Sequence, residues 1–101
     1  GSAGILSIAA TANNPVNVDQ VGDLPTTCPS DYLISVTSLT KADLKAPDAA
    51  WGATHIDLGA YGQGVFTAGA NNSYGAYTGT SFASPQVAGA LGLLYSPHVR
   101  I

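Results

Sequence analysis

The sequence predicts an α/β fold: a mainly parallel sheet, then a C-terminal β-hairpin, then a helix that starts near Ser81. Residues 5–10 form a nearly continuous apolar run, which is typical of a strand buried on both faces. Residues 32–39 are rich in β-forming side chains. From Ser81 onward, apolar residues recur at spacings of three and four, which is the period of a helix. The change of period separates the sheet from the helix.

The N-terminal part of the chain is predicted to contain two strands separated by a loop. The first strand, residues 5–10, is broken at Pro15, which cannot donate a hydrogen bond to a ladder. Residues 15–31 contain several prolines and glycines and are predicted to be a loop. The second strand follows at residues 32–39.

The middle of the chain predicts one more strand and a hairpin. Residues 41–53 hold much of the charge and are predicted to be a surface loop, in which Trp51 covers the core. Residues 55–60 alternate over four positions and predict a strand. Residues 65–68 and 74–78 flank a turn rich in glycine and asparagine, so a hairpin is expected.

The last predicted element is an apolar helix. The Thr78 or Thr80 side chain is expected to cap its start by accepting a backbone N–H, and Pro97 is expected to end it. Gly89 and Gly92 are unfavourable inside a helix by about 1 kcal/mol each. Because the helix is also apolar on nearly all sides, we expect it to be buried with neighbours packed closely against it.

Composition excludes several classes of function. Only 9% of the 101 residues are charged and the net charge is −3, whereas 46% are hydrophobic, so the chain is not of the disordered class. Three basic residues cannot form a nucleic-acid surface. The longest apolar stretch, residues 88–95, is too short to cross a membrane. No signal peptide is recognisable at the start, so any such signal would lie upstream.

Two further features concern completeness and redox chemistry. So few charges cannot coat a small independent domain, so the chain is predicted to be part of a larger one. The single cysteine, Cys28, cannot form an internal disulfide and fits no zinc pattern, and we expect a small thiol that is buried or half-buried. No metal site is predicted in this chain.

Residues 79–89 read Gly-Thr-Ser-Phe-Ala-Ser-Pro-Gln-Val-Ala-Gly and carry the clearest chemical signal. They place the Ser81 hydroxyl where a glycine turn meets a helix N-terminus. Gly79 leaves room for a substrate backbone, and the free N–H groups of the first helical turn can stabilise a developing oxyanion. This arrangement suits a serine nucleophile.

The same string resembles the active-site serine motif of the subtilisin-like serine peptidases (subtilases), Gly-Thr-Ser-x-Ala-x-Pro-x-Val-x-Gly, at all seven fixed positions. The segment from Ile8 to Asn13 is similar to the family segment that ends in an oxyanion-binding asparagine. The resemblance covers nearly the whole chain. It implies a three-layer α/β fold of which residues 1–101 are the C-terminal portion, without the half that bears the catalytic aspartate and histidine.

The resemblance also implies roles for individual residues. Ser81 would be the nucleophile and Asn13 the side-chain oxyanion donor, although the neighbouring Asn14 stays open as the donor because Ala12 stands where the family usually has glycine. The expected substrate-binding residues border the pocket for the substrate side chain and the nucleophile: Ala10, Thr11, Ala12, Gly79 and Thr80.

The resemblance implies a serine endopeptidase that acts on peptide or protein substrates, is nearly inactive as this segment alone, and is secreted. The missing N-terminal half of the domain is the expected partner. Neither His55 nor His98 is expected to be the catalytic base. No cofactor is expected in this chain, and calcium stays open for the full-length protein. The alternatives are a non-catalytic module with the same fold and, more remotely, the nucleophile elbow of the α/β-hydrolases, in which Ala83 would replace a glycine.

Overall fold

A computed structural model describes residues 3–96. His98 and the predicted helix stop at Pro97 lie outside the described residues. The described elements are, in chain order, β1 (Ser7–Ala10), α1 (Val18–Val21), β2 (Leu33–Leu39), β3 (Leu58–Tyr61), β4 (Val65–Ala68), β5 (Tyr74–Tyr77) and α2 (Thr80–Leu94).

The first three strands form a parallel sheet in the order β1-β2-β3, which confirms the predicted α/β class. Val36 in the central strand β2 pairs with Ala10 of β1 on one side and with Leu58 of β3 on the other. Four consecutive residues of β2, from Ser35 to Ser38, are buried. Parallel sheets are generally covered by other elements on both faces, and the burial of β2 follows this rule.

The hairpin is also confirmed. Strands β4 and β5 pair antiparallel, and Asn71 and Asn72 in the connecting loop have φ values of 57° and 56°. Asparagine tolerates this left-handed region better than most residues. The Tyr77 ring stacks on Phe82 with centroids 5.6 Å apart, which fixes the end of the hairpin against the first turn of α2.

Helix α2 packs against all three strands of the parallel sheet. Only Thr80 and Ala83 of this helix are buried, so burial is less complete than the sequence predicts. The reason is that one side of the helix faces the sheet, and no element within residues 3–96 covers the other side.

Three local expectations were wrong. The predicted loop 15–31 contains the four-residue helix α1, which Asn17 caps by accepting a hydrogen bond from the Asp19 N–H at 3.0 Å. Strand β3 begins at Leu58, not at residue 55. Neither Thr78 nor Thr80 caps α2, whose N-cap residue is Gly79.

The predicted threonine caps are absent because both hydroxyls are engaged elsewhere. Thr78 Oγ1 accepts a hydrogen bond from the Gly64 N–H at 3.1 Å. Thr80 Oγ1 donates to the Thr11 carbonyl at 2.5 Å and lies 2.9 Å from Asn13 Oδ1. The start of α2 is therefore attached to the end of β1.

The turn before α2 is packed against β2 through a glycine. A Cβ atom at Gly62 would clash with the Ser38 hydroxyl and lie 2.6 Å from the Gly79 carbonyl oxygen. The Gly79 N–H also donates to the Gly62 carbonyl at 2.7 Å. This close approach holds the turn at the carboxyl edge of the sheet.

Within residues 3–96, no helix is both long enough and apolar enough to cross a bilayer.

Candidate active site

The candidate site is centred on Ser81, the second residue of α2. Ser81 is exposed, whereas Gly79 and Thr80 immediately before it are buried. Gly79 has a φ of 154°, which L side chains rarely adopt, so glycine is the residue that this turn requires. The turn thus presents the Ser81 hydroxyl at the surface and beside the positive end of the helix dipole.

Asn13 lies at the same place, although 67 positions separate it from Thr80. The Thr80 N–H donates to Asn13 Oδ1 at 2.8 Å, so the asparagine satisfies an N–H group at the start of the helix. A backbone N–H is a donor and must face the amide oxygen, not the amide nitrogen. The Nδ2 group of Asn13 is therefore turned away from Thr80 and keeps its two N–H donors.

The residues predicted to line the substrate pocket lie together at this edge. Ala10 and Ala12 are half-buried, while Thr11 and Thr80 are buried. The Thr80 hydroxyl points inward to the Thr11 carbonyl. Ala10 and Ala12 are therefore partly exposed small residues at the end of β1, whereas the two threonines are buried.

Asn14, the alternative donor, is exposed and follows Asn13 in the loop. Its carbonyl oxygen accepts a hydrogen bond from the Val16 N–H at 2.8 Å. The Asn13 side chain accepts the hydrogen bond from the Thr80 N–H and lies 2.9 Å from the Thr80 hydroxyl oxygen. This contact places the Asn13 side chain against the turn that carries Ser81.

The loop that leads out of β1 is fixed by groups that the sequence pattern did not single out. The Ala12 N–H donates to Asp23 Oδ2 at 2.9 Å, and the Ala50 N–H donates to the Ala12 carbonyl at 3.0 Å. Neither Asp23 nor Ala50 belongs to a recognisable motif. A Gly-Asp pair in a proline-rich loop signals a turn and nothing more specific.

His55, predicted to begin a strand, lies in a turn before β3, and its side chain is paired with a carboxylate. His55 Nδ1 lies 2.7 Å from Asp19 Oδ1, and the carboxylate also accepts the N–H groups of Thr54 and His55 at 2.9 and 3.0 Å. These contacts join the segment before β3 to helix α1.

The Thr54 N–H and the His55 side chain lower the pKa of Asp19 below its ordinary value of 3.8. The ionised carboxylate is the form that accepts all three hydrogen bonds, so it is the form that the fold prefers.

Cys28 is exposed, which corrects the expected buried or half-buried thiol. It lies in the loop before β2, where the chain runs over the surface. Trp51 is also exposed, at 44%, so it covers the core only in part. Within the described segment, no three His, Cys, Asp or Glu side chains are grouped so that they could hold a metal ion.

Comparison with known proteins agrees with this arrangement of strand, turn and helix. A sequence profile described as "Subtilase family" matches residues 1–100. The chain belongs to the subtilase family. This subtilase chain is 36% identical over 102 residues to an "Extracellular protease" of Xanthomonas campestris pv. campestris, covering 94% of this chain and 17% of that protein.

Other relatives lead to the same family. A "Subtilisin" of Bacillus pumilus is 35% identical over 99 residues, which cover 96% of this chain and 34% of that protein. The crystal structure of a cold-adapted subtilisin-like serine proteinase is similar with a TM-score of 0.71 and 30% identity, over 86% of this chain and 29% of that one.

An epidermin leader peptide processing serine protease from Staphylococcus aureus shares the fold with a TM-score of 0.80 at 21% identity, over 88% of this chain and 30% of that one. This subtilase chain thus spans 17% of one curated relative and 34% of the other.

The Asp19 contacts predict an acid-sensitive contribution to stability. The carboxyl pKa is lower in the folded than in the unfolded chain, so the contribution is present above the ordinary value of 3.8 and is lost as the pH falls through the folded-state value. We expect Asp19→Asn to lower the urea midpoint at pH 5, and the difference from wild type to shrink as the pH approaches 2.

The matched control is Asp31→Asn, which changes an exposed carboxylate in the loop before β2. Urea unfolding of the three proteins between pH 5 and pH 2 makes the comparison. A constant difference between wild type and Asp19→Asn across this range would contradict the role of the ionised carboxylate.

Proposed function

We propose that this chain carries the nucleophile and the oxyanion-binding edge of a serine endopeptidase. Membership of the subtilase family supports a serine peptidase function. The observation that carries the finer proposal is the hydrogen bond from the Thr80 N–H to Asn13 Oδ1. It leaves the Asn13 amide donors unused by Thr80, at the turn that immediately precedes the exposed Ser81.

In the proposed reaction, Ser81 Oγ attacks the carbonyl carbon of a peptide bond. Its proton passes to a histidine in the rest of the catalytic domain, and from there to the departing amine as the C–N bond breaks. The resulting ester on Ser81 is then hydrolysed by water. Histidine is the ordinary base for a serine hydroxyl. The His55 ring contacts Asp19 of α1, and within residues 3–96 no hydrogen bond joins His55 to Ser81.

The negative charge that develops on the carbonyl oxygen needs donors that are already in place. Asn13 Nδ2 and the Ser81 N–H are the proposed donors, and Thr80 acts through Asn13 because its own hydroxyl is buried. Ala10 and Ala12, with Gly79, leave space for the substrate. A fixed donor is more effective than a mobile one because it needs no reorganisation as the charge forms.

The rest of a subtilase catalytic domain is the proposed partner of this chain. The exposed side of α2 includes Leu93 and Leu94, which are 65% and 50% exposed. An apolar groove between α2 and the sheet is lined by residues such as Ile34, Val87 and Leu91. Large apolar side chains in a continuous patch mark a surface that another element covers.

The length of the relatives supports the proposal that the rest of the domain covers this surface. The chain spans only 17% to 34% of the two curated relatives described above.

Secretion is proposed on a narrower basis, since one relative is named an extracellular protease. The isolated chain is proposed to be nearly inactive because a serine without its base retains only residual catalysis.

Substitutions at the site test the proposed function in the complete gene product. We expect Ser81→Ala to abolish peptide hydrolysis. We expect Asn13→Ala to lower kcat about 10² to 10³-fold, which is the loss for a side-chain oxyanion donor in subtilisin, a member of the same family. Hydrolysis of a chromogenic peptide at saturating concentration provides the measurement.

Ser84→Ala and Asn14→Ala are the matched controls, since each removes the same kind of side chain nearby. Both should retain kcat within about threefold of wild type, because neither residue is assigned a donor or nucleophile role. A large loss in Asn14→Ala with little loss in Asn13→Ala would move the donor to Asn14. Activity that persists in Ser81→Ala would contradict the nucleophile, and an inactive wild type would favour a non-catalytic module.

Gly89 tests whether the exposed side of α2 is covered. A Cβ atom at Gly89 meets nothing within 4 Å among residues 3–96. On an open helix surface, Gly89→Ala would stabilise the protein by about 1 kcal/mol. Against a closely packed neighbour, the added methyl group costs about 1 to 3 kcal/mol. We therefore expect Gly89→Ala to destabilise the complete protein, as measured by urea unfolding.

Gly75→Ala is the control, because its added Cβ would make only ordinary contacts of 3.5 Å with Tyr77. Its effect should stay below about 1 kcal/mol. A stabilised Gly89→Ala protein would mean that the helix surface is open to solvent, and would contradict the proposed partner.

A further inference from the structure

Four hydrogen bonds to residues distant in sequence hold the backbone that leads to Asn13. The Thr11 N–H donates to the Val36 carbonyl at 3.1 Å, and the Thr11 carbonyl accepts from Thr80 Oγ1 at 2.5 Å. The Ala12 carbonyl accepts from the Ala50 N–H at 3.0 Å, and the Ala12 N–H donates to Asp23 Oδ2 at 2.9 Å. Of the four, the bond from Ala12 to Asp23 is the one to a carboxylate.

The Asp23 carboxylate is itself fixed in place. Its Oδ2 atom also accepts from Thr26 Oγ1 at 2.7 Å, and Thr26 is only 2% exposed. The Asp23 carbonyl accepts from the N–H and the hydroxyl of Thr27 at 2.8 and 2.6 Å. A carboxylate held in this way cannot follow the Ala12 N–H if that group moves, so it defines where the N–H lies.

The hydrogen bonds that hold Asp23 extend through Thr26 to the parallel sheet. Ser35 on the central strand β2 donates its hydroxyl to the Thr26 carbonyl at 2.9 Å, in a fully buried contact. A continuous series of hydrogen bonds therefore runs from Ser35 through Thr26 and Asp23 to the Ala12 N–H. Ala12 is the residue immediately before Asn13.

We propose that Asp23 is a positioning residue that sets the Asn13 side chain for oxyanion binding through its hydrogen bond to the Ala12 N–H. The proposal rests on the function proposed above for Asn13. Asp23 does not touch substrate in this role. It anchors the backbone at Ala12, one residue before Asn13, while the Thr80 N–H holds the side-chain oxygen of Asn13.

Loss of the Asp23 contact is expected to weaken binding of the transition state. An oxyanion donor contributes most when the carbonyl oxygen has become charged, so a displaced Asn13 weakens transition-state binding more than substrate binding. A shift of about 1 Å at a catalytic group can cost about 10²-fold in rate. Loss of the Asp23 carboxylate is therefore expected to appear in kcat and to leave KM nearly unchanged.

The test measures Asp23→Ala and Asp23→Asn in the complete gene product, each with Asn13 intact and with Asn13→Ala. We expect Asp23→Ala to lower kcat about 10-fold to 100-fold with KM within about threefold. Asp23→Asn should recover part of the loss, because its amide oxygen can still accept from the Ala12 N–H. In the Asn13→Ala background, both substitutions should change kcat less than about twofold.

Asp31→Ala serves as the matched control and should leave kcat unchanged in both backgrounds, since Asp31 is an exposed carboxylate in the same long loop. Active-site titration of each preparation corrects for any unfolded fraction. If Asp23→Ala does not fold, Asp23→Asn alone is compared in the two backgrounds.

An equal loss with and without Asn13 would overturn the positioning role, and so would a loss confined to KM or to the titrated fraction. These outcomes leave the peptidase function intact, because the wild type remains active. A wild type without activity that depends on Ser81 would overturn both the function and this inference.

Discussion

The hydrogen bond between the Thr80 N–H and Asn13 Oδ1 is the contact on which the candidate site depends. It spans 67 positions of sequence and joins the carboxyl end of β1 to the N-terminus of α2. Helix α2 has no cap from the side chain of its own N-cap residue, Gly79, so Asn13 provides one from another part of the chain. Because the Thr80 N–H needs an acceptor, the same bond directs the amide oxygen of Asn13, and not its amide nitrogen, toward Thr80.

One interaction therefore serves stability and chemistry together. A satisfied N–H at the helix start stabilises the fold. The amide nitrogen of Asn13, which the Thr80 N–H does not use, is the oxyanion donor that we propose. The surrounding residues make this geometry possible because they are small. Gly62 lets the turn approach β2 closely, Gly79 permits the positive φ of that turn, and Ala10 and Ala12 place small side chains at the strand end.

Much of the fold could be predicted from local patterns. The apolar run of β1, the β-rich run of β2 and the asparagine turn of the hairpin each reflect a short-range preference, and the motif around Ser81 is a single continuous string. Helix α1 was missed because four residues are too few to show a helical period. The predicted start of β3 is three residues too early because the alternation of apolar and polar residues from His55 to Leu58 is typical of a strand. The His55 side chain instead contacts Asp19 of α1, with Nδ1 2.7 Å from Oδ1.

The contacts that organise the site could not be predicted in the same way, since they join distant residues. Local patterns suggested a threonine cap for α2, and nothing near Thr80 indicated that Asn13 would take that place. Asp23 and Ala50 carry no motif, and their importance follows only from where the fold brings them relative to Ala12. Sequence identified the chemical groups, whereas the tertiary structure defines how they are held.

Covalent labelling of the complete, folded gene product with a fluorophosphonate probe tests the role of Ser81 most directly. Such probes react with an activated serine hydroxyl and not with an ordinary one. We expect peptide mapping to find the label on Ser81 in the wild type and no label in Ser81→Ala. A folded, mature wild type that is not labelled, or is labelled at another residue, would contradict the assignment of Ser81 as the nucleophile.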